Sequence, residues 1–219
     1  MTETPYTHML RDLPGRLAII GAGGLGREVL CLLGEVLGWE GLEQRVVFAV
    51  ESDYGTGHRV HGIDVIPIDF SRPAVDAAVL AIGDLPARMR IAGQLEGRVD
   101  FRSVIHPSAV ITPFTRLGEG AIVLPHVHIS CDVTIGRHAI LNPGTTISHD
   151  SMAGDFFLAA PGAVVSGHCH MGDRVFIGAG AALRNGVRIA SDVVIGAGAA
   201  VVGDIDEPGT YIGVPARRR

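Results

Sequence analysis

The chain from Ile129 to Ile147 reads ISCDVTIGRHAILNPGTTI, and the spacing inside this stretch decides the fold of the second half of the protein. An aliphatic residue stands at every sixth position of it. The same series runs from Ile105 to Val201 without an insertion, and all its members are aliphatic or small and apolar. A helix would repeat its apolar face about every 3 to 4 residues, whereas a period of six is typical of a parallel β-helix, in which short strands alternate with turns.

A second series, four residues after the first, is nearly always small or β-branched, as in Ala121, Val127 and Val133. One large and one smaller inward side chain per hexad would fill a narrow triangular prism. This pattern resembles that of the hexapeptide-repeat acyltransferases, whose left-handed parallel β-helix has three six-residue faces in each coil. The resemblance predicts that residues i and i+18 stack as neighbouring strands about 4.8 Å apart.

Length, charge and composition limit the kind of protein this is. The chain has 219 residues, enough for two small domains, and its formal net charge of -5 gives no electrostatic footprint for nucleic acid or an anionic membrane. No apolar run approaches the roughly 20 residues of a membrane span, and residues 1–14 lack the apolar core of a signal peptide. The cysteines Cys31, Cys131 and Cys169 have no CxxC spacing, so we expect reduced thiols in a cytoplasmic protein.

Before about residue 100, strand-like and helix-like segments alternate, which predicts a small parallel sheet. The predicted strands are Leu17–Ile20, Val46–Val50, Ile63–Ile66 and Ala78–Ile82, and the predicted helices are Gly26–Leu37 and Pro86–Leu95. The expected fold class is α/β plus all-β. It comprises a half-Rossmann domain at residues 1–103, a left-handed β-helix at 104–206, and an irregular cap or tail at 207–219.

A glycine-rich turn, Gly21-Ala22-Gly23-Gly24-Leu25-Gly26, follows the first predicted strand and opens a helix. In that context Gly23, Gly24 and Leu25 would hold a phosphate at the helix N-terminus. Glu51 follows the second strand, where dinucleotide folds place an acidic residue for a ribose. The ligand would be a nucleotide sugar or a similar phosphate, or NAD, or the turn would have a structural role alone. The short length before the β-helix disfavours NAD.

A half-Rossmann domain joined to a hexapeptide β-helix is similar to the bacterial sugar acyltransferases of the sialic-acid and bacillosamine type. These enzymes acetylate an amino sugar carried on a nucleotide. The resemblance implies acetyl-CoA as co-substrate, no required metal, and a homotrimer with active sites in the clefts between subunits. Two stretches depart from members that bind UDP-amino sugars: Val50-Glu51 replaces paired acidic residues, and Gly83-Asp84-Leu85 replaces Gly-Asn-Asn.

Stacking at a period of 18 brings together side chains that could perform acid–base chemistry. His149 and Asp150 lie one coil before Gly167 and His168, at outward positions where no core role explains them. A carboxylate beside a histidine fixes the tautomer of the ring and stabilises the imidazolium that forms on proton abstraction. His168 would share the carboxylate of Asp150, face the incoming sugar, or be solvated.

The resemblance assigns roles within this cluster. Ser148-His149-Asp150 matches the family's His-acidic motif, in which the histidine is the general base, and Gly167 stands where the family uses a glycine N–H for the oxyanion. Leu158 stands where many members carry a histidine that contacts the acetyl group. Asn142, seven residues before His149, is a further candidate for an orienting contact.

Two other chemistries are disfavoured. In His126-Val127-His128 and His168-Cys169-His170 the middle residue falls on the inward phase, so the histidines would flank a corner and not converge on a metal. A serine nucleophile at Ser148 or Ser166 would lack the elbow turn that activates one.

Gly-Ala pairs in Ile177–Ala181 and Ile195–Ala199 stack into a strip that has almost no side chains. Such residues suit tight corners, and they also leave room for an extended pantetheine chain. The resemblance implies the second role, with Ala179 and Ala197 against coenzyme A and Arg217, in the ending Gly213–Arg217, near a phosphate.

An outward column of apolar residues also repeats every 18 positions, and we name it the apolar column: Ile122, Ile140, Leu158, Phe176 and Val194. Monomers rarely expose a contiguous apolar patch, so the column predicts a subunit interface. Taken with the residue pattern, the resemblance implies a cytoplasmic acetyl-CoA-dependent acetyltransferase with His149 as base. It would modify the amine of a nucleotide-linked amino sugar in the synthesis of a cell-surface polysaccharide. Sugar O-acetylation and an inactive nucleotide-sugar-binding β-helix are the alternatives.

Overall fold

The computed structural model describes residues 15–75 and 77–219. The prediction that no signal segment is present concerns residues 1–14, which lie outside the described residues. The chain divides into two compact units, Met1–Pro107 and Ser108–Arg219, so the division falls a few residues after the predicted boundary at 103/104.

The first unit is built on a sheet with the strand order β3-β4-β2-β1-β5-β6. Every pair in it is parallel except β3 with β4. The strands of this unit are β1 (Leu17–Ile20), β2 (Val46–Val50), β3 (Arg59–Val60), β4 (Ile63–Pro67), β5 (Ala77–Leu80), β6 (Asp100–Phe101) and β7 (Val104–Ile105). The helices are α1 (Gly24–Leu37), α2 (Leu42–Arg45) and α3 (Leu85–Leu95), and a 3₁₀ turn lies at Ser52–Tyr54.

The central strands β1, β2 and β5 are short apolar runs in which every residue is buried, as expected for parallel strands covered on both faces. Their predicted bounds are confirmed to within two residues, and so are those of α1 and α3. The short elements α2, β3 and β6 were not predicted. Because β1, β2 and β5 are parallel, the segments that follow them emerge at one edge of the sheet.

The second unit is a parallel β-solenoid of left-handed type, whose strands fall on three faces. Face one contains Ile122–Val123, Ile140–Leu141, Leu158–Ala159, Phe176–Ile177 and Val193–Ile195. Face two contains Val110–Ile111, His128–Ile129, Thr146–Ile147, Val164–Val165, Ala182–Leu183 and Ala200–Val201. Face three contains Arg116–Leu117, Thr134–Ile135, Met152–Ala153, His170–Met171 and Arg188–Ile189.

The predicted register of 18 residues is confirmed on every face. Ile122 pairs with Ile140 on face one, His128 with Thr146 on face two, and Thr134 with Met152 on face three. The hexad residue of each strand points inward, and Val123, Ile147 and Ile177 are fully buried. Its inward partner four residues later is buried as well, including polar members such as Thr145 and Ser151. Ile111 and Leu117, in the first coil, are half-buried.

Each hexad closes with a four-residue corner, whose positions we number 1 to 4. The first corner joins face one to face two, the second joins face two to face three, and the third joins face three to face one. Position 4 points into the core, and position 3 has a positive φ in nearly every coil. Where position 3 is not glycine it is often Asp or His, which tolerate the left-handed region better than most side chains do; examples are Asp150 at φ 56° and His168 at φ 55°.

Inward hydroxyl and thiol groups tie successive second corners together. Thr115 Oγ1 donates to the Ser130 carbonyl at 3.1 Å, Ser151 Oγ to the Ser166 carbonyl at 3.1 Å, and Cys169 Sγ to the Arg184 carbonyl at 3.3 Å. Each bond joins position 4 of one coil to position 1 of the next. Buried polar groups are therefore satisfied at this corner, and they hold it in register along the solenoid.

Two expectations about the solenoid are wrong. The tail is not irregular: Gly209–Ile212 forms a parallel strand beside Val193–Ile195, and Arg217–Arg218 returns antiparallel to it. The tail does leave the hexad phase, because Thr210 pairs with Val194 at a spacing of 16 residues.

The apolar column is the second correction. Its first two members, Ile122 and Ile140, are 0% and 1% exposed, so the chain itself buries them. Leu158 and Phe176 are half-buried, and Val194 is 38% exposed. The exposed part of the column is therefore confined to its last three members.

Candidate active site

The second corner carries the predicted acid–base group at positions 2 and 3 of two successive coils. Asp150 Oδ2 lies 2.8 Å from His149 Nδ1, and both side chains are about half exposed, at 47% and 49%. With its Nδ1–H donated to the carboxylate, the ring presents Nε2 as the nitrogen that can accept a proton. The main chain beneath is fixed, because Ser151 Oγ bonds the carbonyls of both His149 and Ser166.

Gly167 occupies the same corner position one coil after His149, and the imidazole leaves no room for a side chain there. A Cβ added to Gly167 would lie 2.7 Å from His149 Cε1 and 2.8 Å from its Nε2. The Gly167 N–H has no hydrogen-bond acceptor among the residues that the structure describes. The nitrogen that can take a proton and a backbone donor therefore lie side by side.

His168 is brought to the same carboxylate, as the stacking predicts. Its Nε2 lies 3.7 Å from Asp150 Oδ2, and its ring meets that of His149 edge to face, with the centroids 5.1 Å apart and an interplanar angle of 88°. Ligand atoms of His149, Asp150 and His168 all lie within 4.8 Å of one another, a spacing that one metal ion could span. In both His-x-His segments the middle residue, Val127 or Cys169, is fully buried, as its inward phase predicts.

The sequence prediction was wrong about the contact of one asparagine and missed another. Asn142 Nδ2 donates to the Ala159 carbonyl at 2.9 Å, so this side chain closes the first corner and makes no bond to His149 in the described structure. Asn185 was not predicted, yet its Nδ2 would lie 3.1 Å from the same Cβ at Gly167 that His149 would touch. The signal that could have found it is its place in the column Cys131, His149, Gly167, Asn185, which repeats every 18 residues.

A cavity of about 520 Å³ opens in the first unit, at the carboxyl edge of its sheet. The glycine-rich turn after β1, Glu51 after β2 and residues 81–84 after β5 line it, as parallel strands require. Tyr54, 77% exposed, stands at the cavity as well. Its size suits a nucleotide-sized ligand.

The four glycines of the turn divide into two pairs. A Cβ at Gly21 would lie 2.7 Å from the Ala81 carbonyl oxygen, and one at Gly26 would lie 1.9 Å from the Gly21 oxygen, so chain packing requires both. At Gly23 and Gly24 a Cβ would meet nothing within 4 Å, so packing among the described residues explains neither. No side chain caps the N-terminus of α1 within this part of the chain. Gly23, Gly24 and Leu25 line the cavity, so the N-terminus of α1 borders it and suits an anion.

Glu51 has a partner that the sequence does not reveal. Both of its carboxylate oxygens accept from Arg90 of α3, at 2.8 Å and 2.7 Å. This pairing holds the pKa of Glu51 below its ordinary value and raises that of Arg90. Asp84 is also engaged, since its Oδ1 accepts from the Ala87 N–H and caps α3. Glu51 is thus paired with a cation, whereas Asp84 is held by a backbone N–H.

The glycine–alanine strip lies at the first corner, with Ala179 and Ala197 exposed at position 2 of successive coils. A Cβ at Gly178 would lie 2.5 Å from the Ala197 nitrogen, so close stacking of main chains explains that glycine. At Gly180 and Gly198 the positive φ explains the residue. The strip therefore has a structural basis, and its two alanines remain accessible. Arg217 is exposed in the final strand, where its Nη1 donates to the Ala216 carbonyl.

The sequence matches one family model, described as bacterial transferase hexapeptide (six repeats), over residues 114–149 and 168–203. Proteins of curated function give no significant match. In the described part of the chain no helix combines the length and the apolar character needed to cross a bilayer.

Solved structures match over nearly the whole chain. A histidine-to-alanine variant of GDP-perosamine N-acetyltransferase from Caulobacter crescentus, in complex with CoA and GDP-perosamine, is 31% identical, with a TM-score of 0.83 over 94% of this chain and 97% of that one. The acetyltransferase domain of PglB from Neisseria gonorrhoeae, in complex with acetyl coenzyme A, is 28% identical, with a TM-score of 0.80 over 93% and 98%. WeeI from Acinetobacter baumannii is 27% identical, with a TM-score of 0.85 over 93% and 99%.

Proposed function

This chain belongs to the hexapeptide-repeat, acetyl-CoA-dependent N-acetyltransferases of nucleotide-linked amino sugars, and we propose that it acetylates the amine of such a sugar with His149 as general base. Acetyl-CoA is the co-substrate. One observation carries the assignment of the base: His149 Nδ1 is held by Asp150 while its Nε2 borders the main chain of Gly167. A base and an oxyanion donor within reach of one carbonyl carbon are what acyl transfer to an amine needs.

The reaction needs no covalent enzyme intermediate. The sugar amine attacks the thioester carbonyl carbon, the new C–N bond forms, and His149 Nε2 accepts the proton that the nitrogen loses. The negative charge that develops on the carbonyl oxygen is stabilised by the Gly167 N–H. The C–S bond then breaks, the thiolate takes the proton from His149, and the products are the amide and free CoA. Asp150 stabilises the imidazolium between these two proton transfers.

The nucleotide part of the substrate would bind in the cavity of the first unit. The main chain at Gly23, Gly24 and Leu25 would contact the diphosphate, because the open space at the two glycines admits it to the N-terminus of α1. Glu51, held by Arg90, would accept from the ribose hydroxyls. The Caulobacter enzyme binds GDP-perosamine, which makes GDP-amino sugars the first candidates.

Acetyl-CoA would run along the first corner, with its pantetheine chain over Ala179 and Ala197 and a phosphate near Arg217. The support is the exposure of these three residues and the lack of large side chains in the strip. Because both substrates are cytoplasmic metabolites, we place the enzyme in the cytoplasm, in the synthesis of a cell-surface polysaccharide.

We also propose a homotrimer that buries the exposed end of the apolar column. Phe176→Asp would place a charge in a desolvated interface, at a cost of several kcal/mol if it stays unpaired. Sedimentation should then show dissociated or aggregated protein. Val164→Asp, at an exposed valine on face two, is the matched control and should leave the oligomer intact. An oligomer lost only in the control would place the interface on face two.

The function is tested by measuring free thiol released from acetyl-CoA while GDP-, UDP- and dTDP-linked amino sugars are offered in turn. We expect release with one amino sugar and none with the matching sugar that carries a hydroxyl in place of the amine. Release with the hydroxyl sugar would establish O-acetylation instead. Tight binding of a nucleotide sugar without thiol release would identify an inactive binding protein.

A further inference from the structure

A notch in the second corner has walls of different chemistry. Its floor is the main chain of Gly167, which is buried although position 2 of a corner points outward. One wall is the imidazole of His149, from the coil before, and the other is the carboxamide of Asn185, from the coil after. Both walls border one point, since a Cβ at Gly167 would lie 2.8 Å from His149 Nε2 and 3.1 Å from Asn185 Nδ2.

No structural role among the described residues explains Asn185. Its side chain is exposed and makes no hydrogen bond to any other described residue, unlike Asn142, whose amide closes the first corner. At the third corner, Asp173 stands at the same position and bonds the Asp155 N–H of the preceding coil. The carboxamide of Asn185 instead lies beside Gly167, opposite the imidazole.

From this geometry we propose that Asn185 is a second oxyanion donor, in an inference that rests on the proposed function. The thioester carbonyl approaches the two exposed side chains from solvent, and its oxygen accepts from Asn185 Nδ2 and from the Gly167 N–H. A carboxamide N–H donates without any proton being released, so it fits an oxygen that becomes negative only transiently. His149 meanwhile faces the attacking amine from the opposite wall, which separates the base from the donors.

The arrangement also explains why position 2 of the middle coil must be glycine. A Cβ there would overlap the imidazole and press on the carboxamide. Only glycine lets these two side chains approach each other above its main chain. The pairing of a base and an amide two coils apart is thus a product of the 18-residue period.

The test uses Asn185→Ala and Asn185→Asp in the full-length protein. Asn185→Asp keeps the size of the side chain but removes both N–H donors and adds negative charge beside the oxyanion. We expect kcat to fall by about 10²–10³ in both variants, as on removal of an oxyanion donor elsewhere, with the aspartate no better than the alanine. The affinity for CoA, which has no acyl carbonyl, should be unchanged in isothermal titration. His128→Ala, at an exposed position of face two, is the control and should keep wild-type kcat.

Three outcomes would overturn the proposal. Wild-type kcat in Asn185→Asp would show that no N–H donor is needed, and weakened CoA binding with normal kcat would make the residue a pantetheine contact. A raised KM for the sugar with normal kcat would make it a sugar contact. The two assignments fail separately. If His149 is not the base but Asn185 is the donor, turnover survives in His149→Ala and is lost in Asn185→Asp.

Discussion

The second and third corners of the solenoid have the same backbone and use it differently. At position 2 of the third corner, the Arg137 N–H donates to Asp155, the Asp155 N–H to Asp173, and the Asp173 N–H to Ser191, at 2.8, 2.9 and 3.0 Å. In this ladder each acceptor side chain takes a hydrogen bond from the main chain of the preceding coil. At the second corner the same position carries His149, Gly167 and Asn185, none of which bonds the main chain of a neighbouring coil through its side chain in the described residues.

The difference shows that a hexad position does not determine a role. Both corners are held in register by main-chain bonds between coils, such as the His168 N–H to the His149 carbonyl at 2.9 Å and the Arg174 N–H to the Asp155 carbonyl at 2.8 Å. The third corner adds side-chain bonds to that frame. The second corner takes its extra bonds from inward residues such as Ser151, which leaves its outward side chains available for chemistry.

The largest expected effect is on turnover at the second corner. If His149 takes the amine proton, His149→Ala should lower kcat by about 10²–10⁴, as is typical when a general base is lost. Since the His149 side chain is half exposed and makes no hydrogen bond to another coil in the described residues, the melting temperature should hardly change. The measurement is thiol release with saturating substrates, beside His128→Ala as control. A His149→Ala variant that keeps most of its turnover would remove the contrast between the two corners.

Two glycine-to-alanine variants sharpen the contrast. Gly167→Ala pushes against exposed side chains, the imidazole and the carboxamide, so it should lower kcat by about 10² through misplaced groups and spare the fold. Gly154→Ala, at the third corner, pushes against main chain, with its Cβ 2.7 Å from the Asp173 nitrogen, and should cost about 1–3 kcal/mol of folding free energy. Urea unfolding and steady-state kinetics on both variants give the comparison. The idea fails if the two variants lose the same property.

A smaller effect is expected from the ladder itself. Asp173→Ala removes the acceptor of the Asp155 N–H and should cost about 0.5–1.5 kcal/mol in urea unfolding, with kcat unchanged. Asp173→Asn keeps an oxygen acceptor at the same place and should restore most of the stability. Loss of turnover in Asp173→Ala would instead show that the third corner takes part in the reaction.

The smallest effect tests the burial of the inward position of the second corner. Burial raises the pKa of the Cys169 thiol, so a smaller fraction of it is thiolate at any given pH, and its reactivity should appear only at more alkaline pH. We expect alkylation of Cys169 at pH 8 to be at least ~10-fold slower than that of exposed Cys31. Peptide mapping after timed labelling checks this, and in urea all three cysteines should react alike. Equal rates in the folded protein would mean that the second corner opens readily.

Most of the solenoid could be predicted because one rule is repeated many times. A residue such as Ile147 must be buried at a fixed spacing, and the 18-residue period then places His149, Asp150 and His168 together. The tail could not be predicted, since Thr210 pairs at a different spacing and no hexad marks it. The apolar column was wrong at Ile122 for another reason: the outward phase of a residue does not tell whether the rest of the chain covers it.

Site residues outside the repeat were harder to predict. Arg90 lies 39 positions from Glu51, on a helix whose rotation about its axis the sequence does not fix, so the ion pair between them gave no local signal. Asn185 lies within the repeat but belongs to no motif, and only the geometry around Gly167 shows that it lies near His149. Predictable contacts were those that the coil period dictates, and unpredictable ones depended on side-chain direction.

The 18-residue period also restricts how such a chain can change in length. Deleting six residues between His149 and Gly167 would keep every remaining inward residue in its inward phase, so the core would still form. All downstream residues, however, would move on by one face, and Asp173 would arrive opposite His149 in place of Gly167. Insertions and deletions that preserve the catalytic column must therefore come in whole coils, and a chain altered by a single hexad would fold and yet have lost its active site.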